Sequence, residues 1–160
     1  MSEAIHPTEP VSERELVITR TFDAPARLVF QAYSRPELLM RWFGPEPYRL
    51  VLCEVDFRVG GRFRMAMRDV DGSQMTPFGG EYLEIVPHRR IVFSDAFERP
   101  GAEVMVMTVD LDEQDGRTHL TLHTLFSSAA QMREHMAMGI VDGVNLGYDQ
   151  LAALLAERAA

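Results

Sequence analysis

The chain has 160 residues and a formal net charge of −8, and 46% of its residues are hydrophobic. This length predicts one domain that can bury a core and still hold a pocket. The excess of acidic residues argues against a nucleic-acid groove or an anionic membrane surface, since both require clustered Lys and Arg. Cys53 is the only cysteine, which excludes an intrachain disulfide and a multi-cysteine metal site.

Residues 1–12 contain two prolines and alternating charges, a pattern typical of a flexible lead-in. The start has neither a basic head nor an apolar segment, so it does not resemble a secretory signal. We therefore expect a cytoplasmic protein whose single domain spans residues 13–160.

The first regular elements are a strand and two short helices. A Val-, Ile- and Thr-rich run predicts a strand over residues 15–22, and Asp23 is suited to cap the helix that follows. Pro36 separates a helix at residues 27–33 from a second helix that ends near Trp42. Two aromatic residues, Trp42 and Phe43, precede the turn at Gly44, where they can serve as a core plug or as part of a site.

The hydrophobic period changes to two beyond this point, and turn residues separate successive runs. Strands are predicted at residues 49–57, 61–69, 80–85, 90–97, 103–112 and 118–126. Because these strands follow one another at hairpin spacing, they must be antiparallel. One face of the resulting sheet is apolar and rich in methionine, and it needs a cover.

The last run, residues 129–158, reads as one long amphipathic helix that provides this cover. Gly139, Gly143 and Gly147 lie four residues apart on one stripe of it. Each glycine costs a helix roughly 0.5–1 kcal/mol relative to alanine, so the stripe calls for a physical reason. Two interpretations remain open, namely close packing against the sheet and a groove that admits a ligand.

Several short stretches, taken in order, are similar to a known superfamily. They are residues 22–25, 41–45, 56–61, 80–87 and 143–148. The chain resembles the START-like or Bet v 1-like superfamily, and within it the domain found in activators of the Hsp90 ATPase. This resemblance implies an α+β helix-grip fold, in which an antiparallel sheet of about six to seven strands wraps around a long C-terminal helix. It also implies a cavity for apolar small molecules between the sheet and the helix.

Aromatic and methionine side chains on the apolar face are the candidate ligand-binding residues. They could line a pocket that adapts to varied apolar ligands, or they could form a ligand-free core. The candidates are Trp42, Phe63, Met65, Met67, Phe78, Tyr82, Phe93, Asp95, Phe97, Met105, Met107, Met136, Ile140, Gly143, Val144 and Gly147.

Asp95 and Glu84 are the weak catalytic candidates. Asp95 stands between Phe93 and Phe97, at a position where the superfamily often has an aromatic residue. If the alternation holds, its carboxyl points into the cavity, where it could orient a ligand or act as a general acid or base. A bulge near Ser94 would instead turn it to solvent, and an arginine such as Arg20 or Arg58 could pair either carboxylate.

The histidines predict no metal site. His119 and His123 share a strand face but lie about 13 Å apart at ~3.3 Å per residue, and we expect all five histidines to be exposed. The sequence also lacks a phosphate loop, nucleotide fingerprint, nucleophile elbow or zinc helix, so we expect no metal and no cofactor.

The leading hypothesis is a protein that binds a small apolar or amphipathic molecule without transforming it. The alternative is a cyclase- or aromatase-type enzyme in which Asp95, Tyr82 or Glu84 positions or protonates the substrate. A chaperone-interacting protein is a second alternative, which we disfavour because the chain has no additional domain of the kind that eukaryotic activators carry. Since superfamily members often dimerise, a homodimer remains open.

Overall fold

The computed structural model describes residues 8–159, and within them a curved, unclosed antiparallel sheet packs against four helices. The strands are β1 (Thr8–Ser12), β2 (Glu15–Phe22), β3 (Leu50–Val55), β4 (Arg62–Met67), β5 (Phe78–Val86), β6 (Arg90–Phe97), β7 (Met105–Gln114) and β8 (Arg117–Leu125). The helices are α1 (Ala26–Ser34), α2 (Pro36–Trp42), α3 (Ala129–Ala137) and α4 (Ile140–Ala159). This architecture confirms the predicted α+β helix-grip fold.

The sheet order is β1-β2-β8-β7-β6-β5-β4-β3. Strands β3 to β8 form a meander of hairpins, and β2 pairs with the last of them, β8, so that Glu15 lies opposite Leu125. Helices α1 and α2 therefore carry the chain from β2 to the far edge of the sheet at β3. This crossover places α2 beside the start of β3, at one end of the space that α4 covers.

Alternation along the strands assigns the faces as predicted. On β2, Leu16, Ile18, Arg20 and Phe22 are buried, while the alternate residues Val17, Thr19 and Thr21 are partly exposed. Phe63 and Met65 are buried on β4, and the arginines flanking them are exposed. The apolar side chains of both halves of the sheet thus face the helices.

Helix α4 packs mainly on the β2 side of the fold and against α1 and α2. Tyr148 of α4 lies in van der Waals contact with Trp42, with ring centroids 6.0 Å apart, and its hydroxyl hydrogen-bonds the Tyr33 hydroxyl at 2.7 Å. The Trp42 indole donates to the Ala32 carbonyl at 2.9 Å. Trp42 is therefore a core residue that joins α1, α2 and α4. This agrees with the core-plug interpretation for Trp42.

Three local predictions are corrected. Thr8–Ser12 form β1 and pair with β2, so the part of the expected lead-in that is described adds a strand to the sheet; residues 1–7 lie outside the described residues. Asp23 does not cap α1, whose first amide, at Ala26, donates instead to the Glu113 carboxylate at 2.8 Å.

The third correction concerns the final helix. It is broken between α3 and α4 because Gly139 adopts a φ of 84°, a left-handed conformation that glycine tolerates. The glycine stripe is thus not a single feature of one helix.

Candidate functional site

A row of aromatic rings connects the end of α2 to α3 across the sheet. Phe43 follows α2, and its ring lies 6.1 Å from that of Phe78 at the start of β5. Phe78 lies 6.3 Å from Phe97 at the end of β6. Phe97 in turn stacks on His135 of α3 at 5.9 Å. The three phenylalanine side chains are only partly buried, although each belongs to this internal row.

Helix α4 lies against one end of this row. A Cβ atom added to Gly147 would lie 3.5 Å from the Phe43 carbonyl oxygen, so this end of the row touches α4. His135, at the other end, is on α3, which joins α4 through Gly139. Between these two points, a Cβ added to Gly143 would meet no atom within 4 Å. We use the term mouth for the row of Phe43, Phe78, Phe97 and His135 together with the open position at Gly143.

Three further aromatic residues lie deeper in the sheet and form the floor of the same space. The ring of Phe63 lies 5.5 Å from that of Tyr82 and 5.4 Å from that of Phe93. Phe63 and Tyr82 are buried, whereas Phe93 stays partly exposed near the centre of the sheet. Because Phe93 faces the interior, its accessible surface indicates that the helices do not cover it completely. We call the space between the mouth and this floor the cleft.

Asp95 lies on β6 between the floor residue Phe93 and the mouth residue Phe97. It is 8% exposed, and its backbone pairs with that of Met105 on β7. Its Oδ1 atom is buried and has no hydrogen-bond partner in the described part of the chain. Burial raises the pKa of the Asp95 carboxyl to about 7, against a small opposing effect of the Ala96 amide. The Asp95 side chain therefore points into the fold and not to solvent.

Glu84 does not reach the cleft. The irregularity in this part of the sheet lies on β5 between Tyr82 and Glu84, not near Ser94, and it turns Glu84 outward. Its side chain is 50% exposed, 3.8 Å from Arg90. This corrects its place among the catalytic candidates, since an extra residue in one strand reverses the alternation beyond it.

The two arginines considered as partners are engaged elsewhere. Arg20 is buried and donates to Asp149 at 2.9 Å, and Arg58 pairs with Asp56 at 3.0 Å. Tyr82 keeps its place beside the cleft, and burial raises the pKa of its hydroxyl above the ordinary value. The hydroxyl is therefore a hydrogen-bonding group and not an anion at neutral pH.

The other predicted ligand-binding residues divide into three groups. Buried side chains that fill the interior are Met65, Met105 and, against α1 and α4, Trp42. Partly buried residues that pack on the core are Met67, Met107, Ile140 and Val144. Met136 is wrongly predicted: it is 40% exposed because α3 ends at Ala137 and the chain turns at Gly139.

Sequence reasoning missed two residues of the mouth. Phe43, whose pair with Trp42 fits either a core plug or a site, is not among the predicted ligand-binding residues. His135 is predicted to be exposed, whereas it is 5% exposed and its Nδ1 lies 3.1 Å from the Gln131 carbonyl oxygen. The helical spacing of Gln131, Met132 and His135, all buried, was the available signal. His119 is exposed as predicted, and His123 is half-buried against Glu15 at 2.9 Å.

Comparison with known proteins gives the family. Residues 23–156 match the family described as activator of Hsp90 ATPase homolog 1-like protein. The chain belongs to this family. The resemblance inferred from the short sequence stretches is thereby confirmed.

Solved structures of bacterial proteins share this family member's fold over nearly its whole length. A protein from Nitrosomonas europaea is 29% identical with a TM-score of 0.84, covering 94% of this chain and 99% of that chain. A protein from Chromobacterium violaceum is 30% identical with a TM-score of 0.75, covering 88% and 96%. One from Mycobacterium smegmatis is 26% identical with a TM-score of 0.82, covering 95% and 99%. No curated protein matches the chain.

Two pockets lie away from α4. One of about 380 Å³ is lined by Pro47 and residues 68–72. The other, of about 540 Å³, is lined by residues of β3 to β6 that include Phe63 and Phe97, and by Glu98. Across residues 8–159, no group of three or more His, Cys, Asp or Glu side chains could hold a metal ion. None of the helices in that range is long and apolar enough to cross a membrane.

Proposed function

We propose that this protein binds a small, largely apolar ligand in the cleft and does not transform it. The observation that carries the proposal is that three inward-facing aromatic residues of β5 and β6, Phe78, Phe93 and Phe97, are only partly buried. A ligand that covers Phe78, Phe93 and Phe97 would gain roughly 25 cal/mol for each Å² of apolar surface removed from water. Aromatic walls with few polar groups are typical of small-molecule sites.

The methionines support a pocket that adapts to its ligand. Met65 and Met105 are buried within the interior, and Met67 and Met107 are partly buried against it. Because methionine is unbranched and changes rotamer easily, these side chains can yield volume to a ligand without a change of backbone. The range of ligand sizes that fit thus depends on how far the methionine side chains can move. The aromatic rings select for apolar ligands.

The test is a titration with 2-methoxynaphthalene, an apolar aromatic molecule without a hydrogen-bond donor. Amide chemical shifts of the protein report where it binds, and their saturation gives Kd. We expect saturable shifts at β5, β6 and the first half of α4. Gly143→Leu places a side chain in the mouth and should weaken binding by about tenfold or more, equivalent to about 1.4 kcal/mol.

Ala153→Leu is the matched control, because it adds a leucine to an exposed position of the same helix. It should leave Kd unchanged. Absence of saturable shifts in the wild type would contradict the proposal. Equal weakening by both leucine variants, or an unaltered Kd in Gly143→Leu, would show that the probe binds outside the mouth.

A catalytic role is the second candidate, and one observation favours it. Asp95 is an ionisable group inside the cleft with a pKa near neutrality, as acid-base catalysis requires. With Glu84 outside the cleft, the cyclase- or aromatase-type alternative retains Asp95 and Tyr82 as its candidates. A chaperone contact rests on the family description alone.

A further inference from the structure

The Oδ1 atom of the Asp95 carboxyl has no hydrogen-bond partner in the described part of the chain. The strand neighbours of Asp95 on the inward face are Phe93 and Phe97, and on β7 it lies opposite Met105. On β5 the facing position is close to Gly80, which has no side chain and whose added Cβ would collide with the Ser94 carbonyl oxygen. None of these residues offers a side-chain hydrogen-bond donor.

A buried carboxyl that stabilises a fold normally accepts hydrogen bonds or pairs with a cation. Within the described chain, Oδ1 of Asp95 neither accepts a hydrogen bond nor pairs with a cation. The arginines Arg20 and Arg58 pair with other carboxylates. Asp95 is 8% exposed, and its two inward neighbours on β6, Phe93 and Phe97, are only partly buried, so it lies beside the cleft. An acceptor that is unpaired, buried and adjacent to an apolar cleft is suited to a group that arrives with a ligand.

We propose that Asp95 is the polar contact of the cleft and accepts a hydrogen bond from a ligand that is otherwise apolar and bears a hydroxyl or amine. This inference rests on the proposed function of the cleft. An ionised carboxylate only accepts hydrogen bonds, so it selects for donors. It also repels carboxylates, so fatty acids and other apolar acids are disfavoured as ligands.

The pKa direction agrees with this selectivity. At about pH 8, above the value of about 7 for Asp95, the carboxyl is largely ionised and accepts. The inward residues directly beside Asp95 are Gly80, Phe93, Phe97 and Met105, none of which is titratable. Beyond them, Tyr82 of β5 lies 6.4 Å from the Phe93 ring and His135 of α3 stacks on Phe97 at 5.9 Å. The acceptor state is thus governed by Asp95 itself.

The test compares three naphthalenes of similar shape at about pH 8. 2-Naphthol has one donor, 2-methoxynaphthalene has none, and 2-naphthoate is an anion. We expect the wild type to bind 2-naphthol at least about tenfold more tightly than 2-methoxynaphthalene, because hydrogen bonds to charged groups are the stronger kind. It should bind 2-naphthoate more weakly than either.

Variants at Asp95 separate its role from packing. Asp95→Leu removes all hydrogen bonding, and the ratio of the two Kd values, 2-methoxynaphthalene over 2-naphthol, should fall to about one. Asp95→Asn keeps the shape and removes the charge, so binding of 2-naphthoate should recover. Glu84→Leu is the matched control, since it removes a carboxylate on the exterior of the same sheet, and it should leave every ratio as in the wild type.

The outcomes are distinguishable. Failure of 2-methoxynaphthalene and 2-naphthol alike to bind the wild type overturns the proposed function, and this inference with it. Binding of both with equal affinity overturns the inference while the cleft remains a binding site. A preference for 2-naphthol that persists in Asp95→Leu, or that disappears in Glu84→Leu, also overturns it. Each result is a ratio of two Kd values measured in the same protein. A change of pocket volume in Asp95→Leu alters both Kd values, so it does not mimic a loss of the preference for 2-naphthol.

Discussion

A buried carboxyl oxygen without a hydrogen-bond partner lowers the stability of the fold that contains it, and Oδ1 of Asp95 is such an atom within the described residues. Its folded-state pKa is about 7 against an ordinary value of 3.8. Between these values the folded protein holds a proton that the unfolded chain has released. Stability therefore falls as pH rises through this window, by up to about 4 kcal/mol at 1.36 kcal/mol for each pKa unit.

Asp95→Asn should remove this pH dependence. We expect the variant to be more stable than the wild type at about pH 8, by about 2 to 4 kcal/mol, and close to it at about pH 4, where the wild-type carboxyl is protonated. Urea unfolding at both pH values measures the difference. The histidines titrate in both proteins and cancel in the comparison. A stability difference that stays constant with pH would contradict the assignment of a raised pKa.

Residue-scale geometry was only partly accessible to sequence reasoning. The alternation that placed Phe93, Asp95 and Phe97 on one face is confirmed. The same alternation placed Glu84 with Tyr82, and it was wrong there because a bulge separates them. A bulge depends on the hydrogen-bond register between two paired strands. The sequence of either strand alone predicts it only weakly.

At the scale of the secondary-structure elements, the three glycines of the final run have three different roles. Gly139 ends α3 with a left-handed backbone, Gly143 faces open space, and Gly147 lies against Phe43 and Trp42. The sequence showed their spacing, but a periodic pattern does not reveal which member breaks the helix. Of the two open interpretations, close packing applies at Gly147 and free space at Gly143.

Alanine substitutions should separate these roles. Gly143→Ala should stabilise the protein by about 0.5 to 1 kcal/mol, because it favours the helix without a steric conflict. Gly139→Ala should destabilise it by about 1 to 2 kcal/mol, since the left-handed conformation is strained for alanine. The stability of Gly147→Ala should lie between those of the other two variants. Its Cβ would make ordinary contacts with the carbonyl oxygens of Phe43 and Trp42 at 3.5 Å and 3.6 Å.

Thermal unfolding of the three alanine variants gives their order. A Gly139→Ala variant as stable as Gly143→Ala would show that the helix is continuous, as the sequence first suggested. Destabilisation by Gly143→Ala would show that the space beside it is occupied.

For the molecule as a whole, the fold was predictable because its signals are local. Alternation, turn residues and element order each follow from neighbouring residues, and they predicted the antiparallel sheet and its covering helix. The family came from the resemblance of short stretches such as residues 56–61 and 143–148. The mouth was less accessible, because Phe43, Phe78, Phe97 and His135 meet only after α2, the sheet and α3 have packed. Strand β1 was missed because Pro10 and the charges beside it are unusual in a strand, yet at a sheet edge they are tolerated.

Hydrogen exchange should follow the sheet order. Strands β7 and β8 lie inside the sheet and carry Val109 and Leu120, both 0% exposed, so their amides should exchange most slowly. Edge strands β1 and β3 and the joint at Met138 and Gly139 should exchange orders of magnitude faster. Mass spectrometry of peptides that cover each strand measures this order. Protection of β1 equal to that of β8 would contradict it, and would indicate that another chain covers the β1 edge.

The left-handed joint at Gly139 also has a mechanical consequence. His135 and Gly143 belong to two helices, α3 and α4, that are joined by Met138 and Gly139. In a continuous helix, moving them apart would require breaking backbone hydrogen bonds, whereas here the dihedral angles of the two joining residues can change instead. If the mouth admits a ligand as we propose, its width can therefore change while both helices stay intact.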